Sequence, residues 1–278
     1  MSRALWITLG TTLGVGGAVF LGSRRASAAS STTPGGTGST PVPGTELDPL
    51  PTADDAAGDL VTNWGDTPAD LRPLLDKMQT VSRIAGSARI FAVIAFRESQ
   101  FITTAHNGNA EGEQDERDDS RAAYKNNKDR NPLLKYGEQA AEFGSGGLFG
   151  ALAPYFLWTG VPEIGKKAPL LQSPPELVFQ PRVAAFAACV YLQRLLANYR
   201  IDDHADIKVG WASPSLLKSG RGNEQYNHVR ARFFEDAINL GIDLLDESTI
   251  PQKLSASAWP GVPAVWKALV GELPKEVA

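Results

Sequence analysis

Glu98 is the residue of this chain best placed to do chemistry. It stands near the close of the stretch Ser87 to Gln100, SARIFAVIAFRESQ. Ser87 can cap a helix, and the run that follows is almost wholly apolar until Arg97, Glu98 and Ser99. At helical spacing Glu98 shares a stripe with Phe91, Ile94 and Ala95, so its carboxyl group rides at the C-terminal end of a buried helix. Apolar surroundings and the negative end of the helix dipole both work against a bare negative charge there. In such a setting a carboxyl group can keep a proton and deliver it as an acid, which is what cleavage of a glycoside needs at the leaving oxygen. The alternative is structural, with Arg97 or another base holding Glu98 in an ion pair.

The other reactive residue types offer little. Cys189 is the one cysteine and lies in an apolar helical stretch, which excludes an intrachain disulfide framework and reads as core. His106, His204 and His228 show no ligand spacing, so neither a metal nor another cofactor is expected. The 278 residues, 42% of them hydrophobic, suffice for one good-sized domain with appendages. A formal charge of -4 argues against nucleic acid as the main partner.

The elements that must position Glu98 follow from the chain in order. Residues 4–22 carry no charge and are long enough for a membrane crossing, with Arg3 before them and Arg24 and Arg25 after. Arginines after the run favour an anchor, whereas Ala26-Ser-Ala28 favours a cleaved signal, so residues 1–28 are read as one or the other. Residues 29–55 are rich in Ser, Thr, Gly and Pro and read as a flexible tether. A first helix is expected through Leu71, Leu74, Leu75 and Met78. After Glu98 come an acidic run and then a basic one, over residues 111–142, expected to form a solvated insertion or a lid. Gly144 to Gly150, GSGGLFG, is a loop in which backbone can approach closely. Pro181 to Asn198 is apolar on every side from Val183 to Leu192 and should be a central buried helix. VGWASPSLL reads as a short helix broken at Pro214, and Tyr226 to Leu245 as an amphipathic one. The tail carries Trp259 and Trp266 among prolines, and no alternating run requires a large sheet.

The order of these pieces resembles the superfamily of soluble lytic transglycosylases and goose-type lysozymes. RESQF at 97–101 is similar to the family's Glu-Ser motif, and GGLFGALAP at 146–154 to its Gly-Leu-Met-Gln segment, with Gly150 where Gln is usual. FQPRVAAFAACVYLQRLL resembles the buried helix that follows a Pro in that family. GWASPSLL with Tyr226 beyond it resembles the Tyr-Asn-Ala-Gly region and a downstream Tyr. The resemblance implies a mainly α, lysozyme-like domain over residues 56–246, with a tail from 247 to 278. It implies peptidoglycan glycan strands as the substrate and cleavage of the β-1,4 bond between N-acetylmuramic acid and N-acetylglucosamine. One Glu would serve as acid and base while the sugar's own C6 hydroxyl attacks, giving a 1,6-anhydro end. Carried over by position, Glu98 is that acid/base. Ser99 orients substrate or carboxyl, and Gly146, Gly147, Leu148 and Phe149 line the cleft. Tyr226 hydrogen-bonds near Glu98, and Trp211 offers a flat face to a sugar.

Two other readings stay open. A hydrolytic muramidase requires a second carboxylate for water, and Asp115, Asp118, Asp119, Glu138 and Glu142 are the candidates. A non-catalytic glycan-binding or structural protein of an envelope or virion could keep the same scaffold. The expected location is anchored in a membrane through residues 4–22 or exported to the envelope, or else in a phage particle. No feature of the sequence sets an oligomeric state.

Overall fold

The computed structural model describes residues 63–84, 86–107, 116–242 and 259–271. The expected membrane segment and tether lie outside the described residues. Among the described residues no helix is long and apolar enough to cross a membrane. The described part is mainly helical, with one hairpin of two very short strands.

Helix α1 (Arg72–Ser82) buries Leu74, Leu75 and Met78, the stripe that its spacing predicts, and packs on α2 (Ser87–Ser99). Ser87 is not a side-chain cap. Gly86 takes the cap position in a left-handed conformation, and the Ser87 hydroxyl meets that of Ser82 at 2.9 Å. The first turn of α2 is instead served from α1, where Gln79 Oε1 accepts the Ala88 N–H at 3.2 Å. From Glu116 on, the charged insertion is helical where a loop was expected. It contains α3 (Arg117–Asn126) and α4 (Gly137–Phe143), packed on each other.

The glycine-rich stretch forms an antiparallel hairpin of β1 (Ser145–Gly146) and β2 (Ala151–Leu152), in which Ser145 pairs with Leu152 and Gly146 with Ala151. An isolated bridge from His106 to Gly146 adds a third short partner. Short helices α5 (Ala153–Leu157) and α6 (Val161–Ile164) and several 3-10 turns lead to α7 (Pro181–Asn198). As its sequence predicts, α7 is buried on all sides from Val183 to Leu192, and Cys189 there is core.

Helix α8 (His204–Ala212) ends before Pro214, which opens α9 (Pro214–Ser219). Helix α10 (Glu224–Leu240) stops at Gly241 in a left-handed cap, short of the expected Leu245. The tail is not an appendage throughout. Its helix α11 (Val262–Leu269) packs on α7 and α1, and Trp266 meets Phe186 edge to face at 4.9 Å.

Candidate active site

Helix α2 supplies the central group because its apolar run carries Glu98 into the interior, where the Glu98 side chain is 3% exposed. The chain then leaves through Gln100 at φ 51° and Phe101 at φ 64°, two successive left-handed residues without a glycine. Backbone of this kind costs of order 1–3 kcal/mol per residue and gathers at functional sites. Here it turns the chain directly after Glu98.

The expected setting of Glu98 needs one correction. The carboxyl group is not surrounded by apolar groups alone: as the alternative reading of the sequence has it, a base holds it in an ion pair, the Lys208 ammonium of α8, itself 6% exposed, on Oε1. Arg97 serves Asp236 of α10 instead, at 3.5 Å. Lys208 also acts on Asp236: burial pushes that carboxyl up, while Arg97, Lys208 and Arg232 oppose the shift. The ammonium is thus paired with one buried carboxyl group and acts through its charge on a second.

Gly150 lies directly against Glu98. It has φ +61°, and an added Cβ would stand 3.0 Å from Glu98 Oε2 and 3.2 Å from Glu98 Cβ. The absence of a side chain at the position where the resembling family carries Gln is what gives the carboxyl group its room here. Gly147 is equally constrained, at φ +74°, since a Cβ would come within 2.3 Å of the Val178 carbonyl. Its N–H donates to Ala105 O at 2.9 Å.

The remaining expected site residues fall into other roles. Ser99 is 1% exposed, and its hydroxyl lies 2.9 Å from both Ala95 O and Leu148 O, so it ties α2 to the hairpin loop and does not face a substrate. Gly146, Leu148 and Phe149 are buried, the two side chains at 0% and 1% exposure, and they support the loop from within. Trp211 is core. It is fully buried and meets Phe91, Phe149 and Tyr191 edge to face, so it offers no face to a sugar. Tyr226 donates to Asp206, not to Glu98, and borders a separate cavity of about 150 Å³ with Arg200, Asp202 and Arg221.

None of the second-carboxylate candidates among the described residues faces Glu98. Asp118 and Glu142 pair with Arg121 on the surface, and Asp119 and Glu138 are exposed. Asp115 lies outside the described residues. The residue missed is Glu116. It is 7% exposed, Ser145 and Asn107 donate hydrogen bonds to it, and its Oε2 has no hydrogen-bond partner among the described residues. Burial pushes its carboxyl up to about 7; the Ser145 and Asn107 hydrogen bonds oppose this, and the charges of Glu98 and Asp119 add to it. The acidic run carried no local signal for it: Glu116 stands at the N-cap of α3, where only Ser120 and Ala123 are buried with it. Ser120 donates to Gly144 O at 2.9 Å and Asn107 to Ser145 Oγ at 3.1 Å, so the start of α3 is fastened to the hairpin beside Glu98.

The described residues thus gather two buried carboxyl groups, Glu98 and Glu116, with one buried ammonium. Among them no group of His, Cys, Asp and Glu is arranged to hold a metal ion. No family model, curated protein or solved structure matches the chain.

Proposed function

We propose that this protein cleaves peptidoglycan glycan strands as a lytic transglycosylase on a lysozyme-like helical scaffold, with Glu98 as the reacting carboxyl group. The observation that carries the reading is the Glu98 carboxyl group, buried at the end of α2 and fitted against Gly150, where no side chain intrudes. The left-handed exit at Gln100 and Phe101 and the Ser99 link to Leu148 support it, since both fix where that carboxyl group stands. In the reaction the bond from muramic C1 to the leaving oxygen breaks as that oxygen gains a proton. The C6 hydroxyl oxygen bonds to C1 and gives up its own proton to a carboxylate, so no water is consumed. Residues 4–22 and the tether after them would hold or send the domain to the envelope, or to a phage particle that meets the same wall.

A hydrolytic muramidase is the second reading, and Glu116 favours it by providing the buried second carboxyl group that hydrolysis requires. Mass spectrometry of fragments released from purified peptidoglycan by the full chain separates the two. Anhydro-muramyl ends are the expected products, reducing ends would mean hydrolysis, and pelleting on the wall without release would mean a binding protein. Glu98→Gln should abolish release. That change leaves the Lys208 ammonium buried without its partner, which destabilises, so Glu98→Gln combined with Lys208→Met is the matched control for folding.

A further inference from the structure

Resting on that reading, we propose that the two proton transfers are divided between two residues, Glu116 giving the proton to the leaving oxygen and Glu98 taking the one from the C6 hydroxyl. The family resemblance assigns both transfers to Glu98. In this chain Glu98 is engaged by an ammonium through Oε1, the arrangement of a proton acceptor. Glu116 has a free oxygen: Oε2 is buried and unpartnered among the described residues, while Ser145 and Asn107 fix the rest of the group. A buried carboxyl group with an unpartnered oxygen and a neighbouring carboxylate favours its neutral, proton-bearing form.

The groups that act on this pair come from every side. Glu98 from α2 and Asp119 from α3 work against charge on Glu116, Ser145 of β1 and Asn107 work for it, and Lys208 from α8 is bound to Glu98. Asp236 from α10 is paired with Arg97 and also feels the Lys208 charge. The step balances as follows. The C1–O bond breaks as its oxygen takes the Glu116 proton, the C6 oxygen bonds to C1, and its proton passes to Glu98. Transfer of that proton from Glu98 to Glu116 restores both groups.

The test is steady-state kinetics on soluble glycan strands from pH 5 to 9, with the full chain and its Glu116→Gln variant. The expected result is a fall in kcat of about 100-fold or more, in the range of general acid catalysis, with KM little changed. The wild type should lose kcat as pH rises through about 7, and the residual activity of the variant should lack that limb. A variant with wild-type kcat and the same limb would overturn the proposal. If Glu116→Gln does not fold, carboxyl-carbon NMR of the wild type beside the Glu98→Gln, Lys208→Met double variant decides, since that variant leaves no orphaned ammonium to move the midpoint. Loss of the Glu98 charge should lower the Glu116 midpoint, and an unmoved midpoint means that the two do not share a site. A wild type that leaves glycan intact defeats the cleavage reading and the division of labour together, while the NMR coupling would still report whether the carboxyl groups are neighbours.

Discussion

At the scale of single residues, Gly150 is the most exacting position after Glu98 itself. Gly150→Ala puts a methyl group 3.0 Å from Glu98 Oε2, so the carboxyl group must yield by a few tenths of an ångström, and the backbone must hold an L residue at φ +61°. The conformational part costs about 1–2 kcal/mol. Gly241→Ala is the control, since Gly241 has φ +72° in the left-handed region and a Cβ there meets only Gly65 Cα, at an ordinary contact distance of 3.5 Å. Both variants should lose comparable stability in urea unfolding, but Gly150→Ala alone should lose glycan cleavage, by roughly tenfold or more given the sensitivity of catalysis to small misplacements. Equal activities in the two variants would show that the fit of Gly150 to Glu98 is irrelevant. Glu98 itself was legible because a lone acid ending an apolar run has one simple placement. Lys208 was not, because the contact spans 110 residues of chain, and nothing local to KVGWA marks its lysine. Glu116 was hidden in a run of carboxylates that look alike until Ser145 and Asn107 single one out from elsewhere in the fold.

At the scale of elements, α8 and α10 are joined by one polar network. Asp203 caps α8 by accepting the Asp206 N–H at 2.9 Å, Arg230 of α10 binds both Asp203 and Asp206, and Tyr226 donates to Asp206. Burial pushes Asp203 up, but Arg230 and the Asp206 and Ala205 N–H groups outweigh it and hold the carboxyl below its usual range. Since α8 also carries Lys208, this network sets where the ammonium meets Glu98. Arg230→Met leaves two buried carboxylates with only the exposed Arg221 guanidinium, 3.9 Å from Asp203, and should cost about 3–5 kcal/mol in urea unfolding at pH 7. A depressed carboxyl contributes stability above the ordinary carboxylate range and loses it as pH falls. The deficit of the variant should therefore shrink below about pH 4, and a deficit independent of pH would mean that packing, not charge, is what Arg230 supplies. Helices α1, α2 and α7 could be read because their apolar stripes need no partner to be recognised. Helix α3 could not, since it buries little beyond Ser120 and Ala123, and α11 is a short helix beginning beside a proline, which owes its place to α7 and α1.

At the scale of the whole molecule, two buried groups pull stability in opposite directions with pH. The folded protein keeps the Glu116 proton to about 7, whereas the unfolded chain releases it near 4.5. Between those values the native state binds more protons, so this group makes stability fall as pH rises. His204 does the reverse. It is 3% exposed, with neither ring nitrogen hydrogen-bonded among the described residues. Burial, with Arg89 nearby, lowers it from 6.5 to about 4 against the pull of Asp203, so the unfolded chain binds more protons and stability rises with pH over that range. Taken alone, each group is worth about 3 kcal/mol across its range. The two slopes overlap and largely cancel in the wild type between pH 4.5 and 6.5. Single substitutions should separate them in urea unfolding measured from pH 4 to 8. Relative to the wild type, Glu116→Gln should gain stability progressively as pH rises to about 7, at the expense of the activity that needs its proton. His204→Leu should gain it as pH falls towards about 4. Curves for both variants that run parallel to the wild type would mean that these groups titrate alike in the folded and unfolded chain. The buried proton at Glu116, on which the division of the two transfers depends, would then not exist.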